Sequence, residues 1–322
     1  MKAKSFISKY GGVIIGALYA LFIRLAFHSV IYGYGFSFFN LFSIAFIWVT
    51  PFVVGIAPML LASRQQLQSD SYRIFSPLLT VLLFFTFCFI TRIEDIICIV
   101  IIACPYVIAA GVGGWIFSLL ILRYRDNRGI LYSVLIVPLL FGLVEDQFKA
   151  PVQTYNVKTV TVINSSSQNI WQHVVRVDKI KEQEYARGFF NRAGIPQPLY
   201  AELNKDTLGA IRTGHFEGGL QFKETVNEWN RNKRVSFSIQ VIPSSIRQAV
   251  FDQHVLSGGH FEFLSAAYEI KPIDAGRCEL SLTASYKLDT NINTYASFWG
   301  NWMLDDFQER LLAVIKRRCD EK

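Results

Sequence analysis

Near residue 145 the apolar residues of this chain change the order they keep, and that change constrains the fold more than any other feature. Before it, they come in continuous runs close to the ~20 residues that cross a bilayer. The runs are Tyr10 to Ile31, Phe38 to Ala62, Phe75 to Thr91, Ile96 to Leu122 and Ile130 to Val144. The fourth is interrupted by Pro105 and by Gly111, Gly113 and Gly114, and the fifth is short and carries Pro138. After residue 145, apolar and polar residues alternate with the period of a half-buried β-strand. Charge divides at the same place. Residues 1–145 hold ten Lys/Arg and five Asp/Glu, against twenty-two and twenty in 146–322. A basic excess lying in short loops beside apolar runs marks membrane topology, not a nucleic-acid surface. The expectation is an α-helical membrane bundle of about five spans over 1–145, a linker at 146–156, and a folded domain over 157–322.

The connections carry Lys2, Lys4 and Lys9, then no Lys or Arg in 32–37, then Arg64 and Arg73, then Arg92 alone, then Arg123, Arg125 and Arg128. This alternation puts the N-terminus in the cytoplasm. Five crossings carry the C-terminal domain to the far side, the periplasm in a Gram-negative cell. A fifth run that does not cross leaves it cytoplasmic. The first run is too long for a cleaved leader and is followed by further spans, so it reads as an anchor. Arg24 and His28, one helical turn apart, share a face. A charged side chain in a span needs a partner, and Glu94 or Asp95, at the start of the fourth run, can supply it. The glycines of "GVGGW" at 111–115 suit close helix packing.

In the second half, "VTVINSSSQNIWQHV" reads as a strand, a polar N-cap cluster and a helix. "KIKEQEYARGFFNRAGIP" reads as a second helical stretch ending at the Gly194–Pro196 break. "LGAIRTGHF" and "LQFKETVNEW" are joined by Glu217-Gly218-Gly219, a hairpin loop, and "RVSFSIQVI" alternates strictly. "GHFEFLSAAYEIK" and "RCELSLTASYKL" form another hairpin. The chain closes on a long amphipathic helix with Tyr295, Trp299, Met303, Phe307, Leu311 and Ile315 in one row, Phe298 and Trp302 beside it. A curved antiparallel sheet of this kind buries one face by wrapping around that helix.

These pieces resemble the START, polyketide-cyclase and birch-pollen-allergen superfamily, with its helix-grip fold, and the whole chain is similar to bacterial members carrying an N-terminal multi-span region. The resemblance implies an α+β helix-grip domain and, given the range of the group, either a lipid or hydrophobic-ligand carrier, an enzyme of the cyclase/aromatase type, or a non-catalytic interaction module. Fold alone does not choose among them.

Strand pairing assigns an inner face. The hairpin loop sets Arg212 opposite Glu224 and Gly214 opposite Phe222, and a turn at 231–232 sets Glu224 against Ile239, Val226 against Phe237 and Glu228 against Val235. The last hairpin adds Leu264, Tyr268 and Ile270 with Leu280, Leu282 and Tyr286, with His260 and Glu262 near one end. Trp299 and Trp302 complete the set from the terminal helix. Such a mostly apolar face with a few polar groups fits a ligand pocket. It fits equally a filled core in which Arg212 and Glu224 neutralise each other. His260, Glu262, Tyr268 and Tyr286 carry the acid–base chemistry present, but nothing assigns a catalytic residue: there is no nucleophile elbow, P-loop or Rossmann glycine pattern. The five cysteines show no metal spacing. No cofactor or metal is expected. The expected partners are membrane lipids and a hydrophobic small molecule, without nucleic acid.

Overall fold

The computed structural model describes residues 2–28, 41–123, 132–148 and 152–320, with the side chains of 2–9, His28 and Tyr132 outside that description. The margins of the first, second and fifth apolar runs, Arg125 and Arg128, and residues 149–151 of the expected linker therefore lie outside the described residues. Two units are distinguished. One comprises Met1–Ala150 with Thr290–Ile292, the other Pro151–Asp289 with Asn293–Lys322.

In the first unit, three helices among the described residues are long and apolar enough to span a membrane. They are α1 (Lys2–His28), α4 (Asp70–Ile90) and α5 (Ile96–Arg123). The second and fifth runs instead form α2 (Ala45–Leu60) and α6 (Ser133–Glu145). At 1.5 Å per residue these reach only ~24 and ~20 Å, short of the ~30 Å hydrocarbon core. Among the described residues the expectation of five spans is thus corrected to three. Every residue of Thr50–Leu60 except Phe52 is buried, against α1, α4 and α5. Hydropathy cannot separate a helix surrounded by protein from one surrounded by lipid. The long helices do present apolar side chains outward, among them Leu18 and Phe22, Leu82 and Phe89, Ile108 and Trp115. A short amphipathic helix, α3 (Arg64–Gln68), opens with a capping box from Ser63.

Backbone contact fixes α2 against α5. A Cβ on Gly55 would overlap the Ala110 carbonyl, and one on Gly113 the Phe52 carbonyl oxygen, whereas Gly111 faces open space. The N-terminus of α2, buried at Ala45, is closed by a residue from far along the chain. Glu145, the last residue of α6, is buried and accepts from Ile44 N at 2.7 Å, Ala45 N at 2.8 Å and Asn291 Nδ2 at 3.0 Å. A carboxylate there satisfies orphan N–H groups and complements the helix dipole. Arg24 is buried and its Nε donates to Glu94, with Nη2 3.5 Å from the Ile93 carbonyl. Of the two acids, Glu94 is the one seen to pair with Arg24, and Asp95, the next residue, is half-buried.

The second unit is a seven-stranded antiparallel sheet in the order β1-β7-β6-β5-β4-β3-β2. The strands are β1 (Gln153–Ile163), β2 (Pro198–Leu203), β3 (Ile211–Phe216), β4 (Gln221–Asn230), β5 (Arg234–Val241), β6 (Phe261–Pro272) and β7 (Cys278–Leu288). Strand β1 starts at Gln153, inside the expected linker and before the expected domain boundary at 157. Helix α7 (Ser167–Val175) is capped by Ser166, which accepts from Asn169 N at 3.3 Å. Helices α8 (Phe189–Arg192) and α9 (Val250–Leu256) are short. The final α10 (Asn293–Asp320) packs on β1, β7 and α7.

The helix expected over 179–196 is confined to α8. The preceding segment takes irregular form because remote groups satisfy its backbone. Arg318 donates to the carbonyls of Asp178 and Lys179 and to Glu184, Arg317 to Gln183 O, and Arg310 to Ala186 O. Four guanidinium-to-carbonyl bonds from one helix stand in for part of the i→i−4 ladder a helix would supply.

Candidate functional site

Two β-bulges decide which side chains reach the interior. In the β4–β5 pair, Glu224 faces Ile239 and Val226 faces Phe237, as the hairpin geometry requires. A bulge after Val226 then puts Trp229, not Glu228, opposite Val235. In the β6–β7 pair, Tyr268 faces Leu282 and Ile270 faces Leu280, but a shift between Phe263 and Ser265 sets Phe263 against Tyr286 and Phe261 against Leu288. One extra residue reverses the in–out alternation on one side of a bulge. The assignment of His260, Glu262 and Leu264 to the inner face is corrected accordingly. Glu262 pairs with Lys287, His260 lies beside the Asp289 carbonyl, and Leu264 occupies the bulge. Phe261 and Phe263 take the inward positions.

The interior divides in two. Around the C-terminal half of α10, Val226, Val235, Phe237, Tyr268, Ile270, Leu280 and Leu282 pack with Leu311, Leu312, Val314 and Ile315 in one buried cluster that also holds Trp171 and Tyr185. Arg212 and Glu224 sit beside it, both buried and ion-paired. Arg212 Nε donates to the Val175 carbonyl at 3.1 Å, Nη2 lies 3.5 Å from Val174 O, and the guanidinium carbon is 5.1 Å from the Phe237 ring centroid. Burial works against the charge on Arg212, but Glu224 and Tyr268 more than offset it and hold its pKa above the ordinary arginine value. Burial pushes the Tyr268 phenol up to about 12, so it stays protonated and is a poor general base. The carboxylate and two helix-terminal carbonyls each take a bond from Arg212. That network compensates the buried charge without requiring a ligand.

The other half is lined with rings. From α10 and β3 across to β1, ring centroids follow one another from Phe307 to Phe216 (6.0 Å), Phe222 (5.2 Å), Phe263 (5.4 Å), Phe261 (4.7 Å), Tyr286 (5.2 Å) and Tyr155 (5.4 Å). Phe222 and Tyr286 are buried, whereas Phe216, Phe261, Phe263, Phe307, Tyr155 and the neighbouring Ile239 remain half-buried although they face inward. Gly300 makes room for Tyr286: a Cβ there would stand 2.8 Å from the phenol oxygen. That hydroxyl donates to Asn301 Oδ1 at 2.8 Å and approaches Ser297 O at 3.3 Å, and burial raises its pKa. Trp299 is only 9% exposed, with its Nε1 buried and lacking a hydrogen-bond partner. Trp302 does not join the interior. It is 47% exposed and stacks on Phe189.

Of the rings that form the row, the sequence assigned Phe222 and Tyr286 to the site and missed Tyr155, Phe216, Phe261 and Phe263. The signal for the last two was present. "FEF" at 261–263 places aromatics at odd positions, while Ala266, Tyr268 and Ile270 are even, and such a phase break within one strand indicates a bulge.

Neither the family models nor the curated proteins provide a match. Solved structures similar to the second half include truncated norcoclaurine synthase from Thalictrum flavum, at 11% identity and TM-score 0.34, covering 54% of this chain and 99% of that one. A START superfamily protein from Mycobacterium smegmatis aligns at 10% identity and TM-score 0.36, over 52% and 97%. A conserved protein from Geobacillus kaustophilus aligns at 9% and 0.35, over 52% and 96%. The second unit has the helix-grip fold. Its strand order and terminal helix establish this independently of those scores, and the fold by itself fixes no chemistry.

Proposed function

We propose that the second unit binds a lipid or other hydrophobic small molecule along its aromatic row, and that the first unit holds it at a membrane. The observation carrying this reading is the contrast in burial within one interior: a closely packed half whose side chains are buried, beside inward-facing rings that stay half-buried. Pockets for apolar ligands are lined in this way, with a few polar groups to orient the ligand. Tethering raises the domain's effective concentration beside a membrane-dissolved ligand. The three span-length helices and the basic N-terminal segment favour a domain on the side opposite the N-terminus, the extracytoplasmic face of a bacterial inner membrane.

The test is native mass spectrometry of the full chain released from mild detergent, with extraction and identification of bound lipid. Retained ligand lost in Phe263→Ala, at an unchanged near-ultraviolet circular dichroism spectrum, supports the reading. An unliganded wild type with no thermal shift across a lipid panel overturns it. A thiol-reactive impermeant reagent on Leu208→Cys, with Cys98 and Cys104 replaced by Ala, reports the side of the membrane, since Leu208 is 61% exposed whereas the remaining Cys88, Cys278 and Cys319 are buried.

A further inference from the structure

On the outer surface of the second unit, away from the aromatic row, Phe189 is 50% exposed, Phe298 59% and Trp302 47%. They form one group. Trp302 stacks on Phe189 at 6.2 Å and lies 6.2 Å from Phe298, with Phe190 and Trp299 packed behind at 5.0 and 5.5 Å. Three large rings left half-exposed together mark an interaction surface, because single exposed apolar residues are common but contiguous ones are not. We propose that this group docks the domain on the bilayer surface, its rings entering the interfacial region.

Three observations favour lipid over a protein partner. The rings are Phe and Trp, the types that settle at the junction of headgroups and acyl chains. Arg192, exposed in the last turn of α8, adds a cation beside Phe189 for anionic headgroups. The segment Thr290–Ile292, directly before α10, groups with the unit that carries the spans, where Asn291 donates to Glu145 at the end of apolar α6. From Ile292, Phe298 and Trp302 follow after about 9 and about 15 Å of helix. Only a short stretch of chain thus separates both rings from the unit that carries the spans.

The experiment uses the full chain in nanodiscs of phosphatidylcholine and phosphatidylglycerol. Cys98 and Cys104, the cysteines that are not buried, are replaced by Ala. A nitroxide is attached at Phe298→Cys, at Trp302→Cys, or at Leu208→Cys, an exposed apolar position outside the group. Docking predicts a rise in oxygen collision and a loss of nickel-chelate collision at 298 and 302 relative to 208. Nickel access equal to that at 208 overturns the proposal. So does label–label broadening that vanishes on dilution with unlabelled protein, which would assign the surface to a second copy. Low access to both relaxants without broadening would assign it to internal packing and also overturns the proposal. Should either substitution lower the thermal midpoint, Phe189→Cys supplies the same reading from α8.

Discussion

Replacing Glu224 by Gln tests whether the Arg212–Glu224 pair is architecture or binding site. The substitution keeps the shape and leaves a buried guanidinium without its counter-charge. Removing one partner of a buried pair costs ~3–5 kcal/mol. Here the carbonyls of Val174 and Val175 and the Phe237 ring stay in place around Arg212, which sets the expected loss near the lower end, ~3 kcal/mol. For a unit of this size that is a fall in Tm of roughly 6–12 °C. Trp171 and Trp229, 5.1 Å apart and edge-on, give a near-ultraviolet circular dichroism signal from the same region, since Trp171 shares α7 with Val174 and Val175. Melting the full chain in mild detergent while following that signal measures the loss. Replacing both partners with apolar residues, Arg212→Met with Glu224→Leu, should recover stability to within ~1 kcal/mol of wild type. A fall of under ~1 kcal/mol in Glu224→Gln, or a double variant no better than the single one, would refute the structural account and reopen Arg212 as an anion site.

In the membrane unit, Gly113→Ala should lower the yield of monodisperse detergent-solubilised protein, because its Cβ overlaps the Phe52 carbonyl, while Gly111→Ala should be neutral or stabilising by up to ~1 kcal/mol from helix propensity; size-exclusion profiles distinguish them. Glu145→Gln removes the charge that closes the start of α2 and should cost ~1–2 kcal/mol, read as a lower thermal midpoint. The hydrogen bond from Arg318 holds Glu184 near a pKa of about 2, below its ordinary 4.5. Its contribution is therefore full above about pH 4.5 and is lost as the pH falls toward 2. Glu184→Gln should flatten the acid side of the stability profile over that window, measured by melts at stepped pH.

How much of this was legible in the sequence depended on how local the cause was. The Arg212–Glu224 register could be read because Gly218 and Gly219 fix the hairpin, both at positive φ. The opposite held for the segment from Asp178 to Gly188. Its order is imposed by arginines more than a hundred residues later, and no local pattern announces them. The span count failed for a third reason: α2 is as apolar as a lipid-facing helix because neighbouring protein encloses it. The β6 bulge was legible in principle, through its phase break, but strict alternation was carried past it.

The arginine clamp has a consequence for synthesis. The 178–188 stretch leaves the ribosome long before Arg310, Arg317 and Arg318 are translated, and while α10 is still in the exit tunnel its carbonyls have only water to bond. The domain can therefore close only once α10 has left the exit tunnel, and a nascent chain arrested ahead of Arg310 should remain open to protease within that stretch.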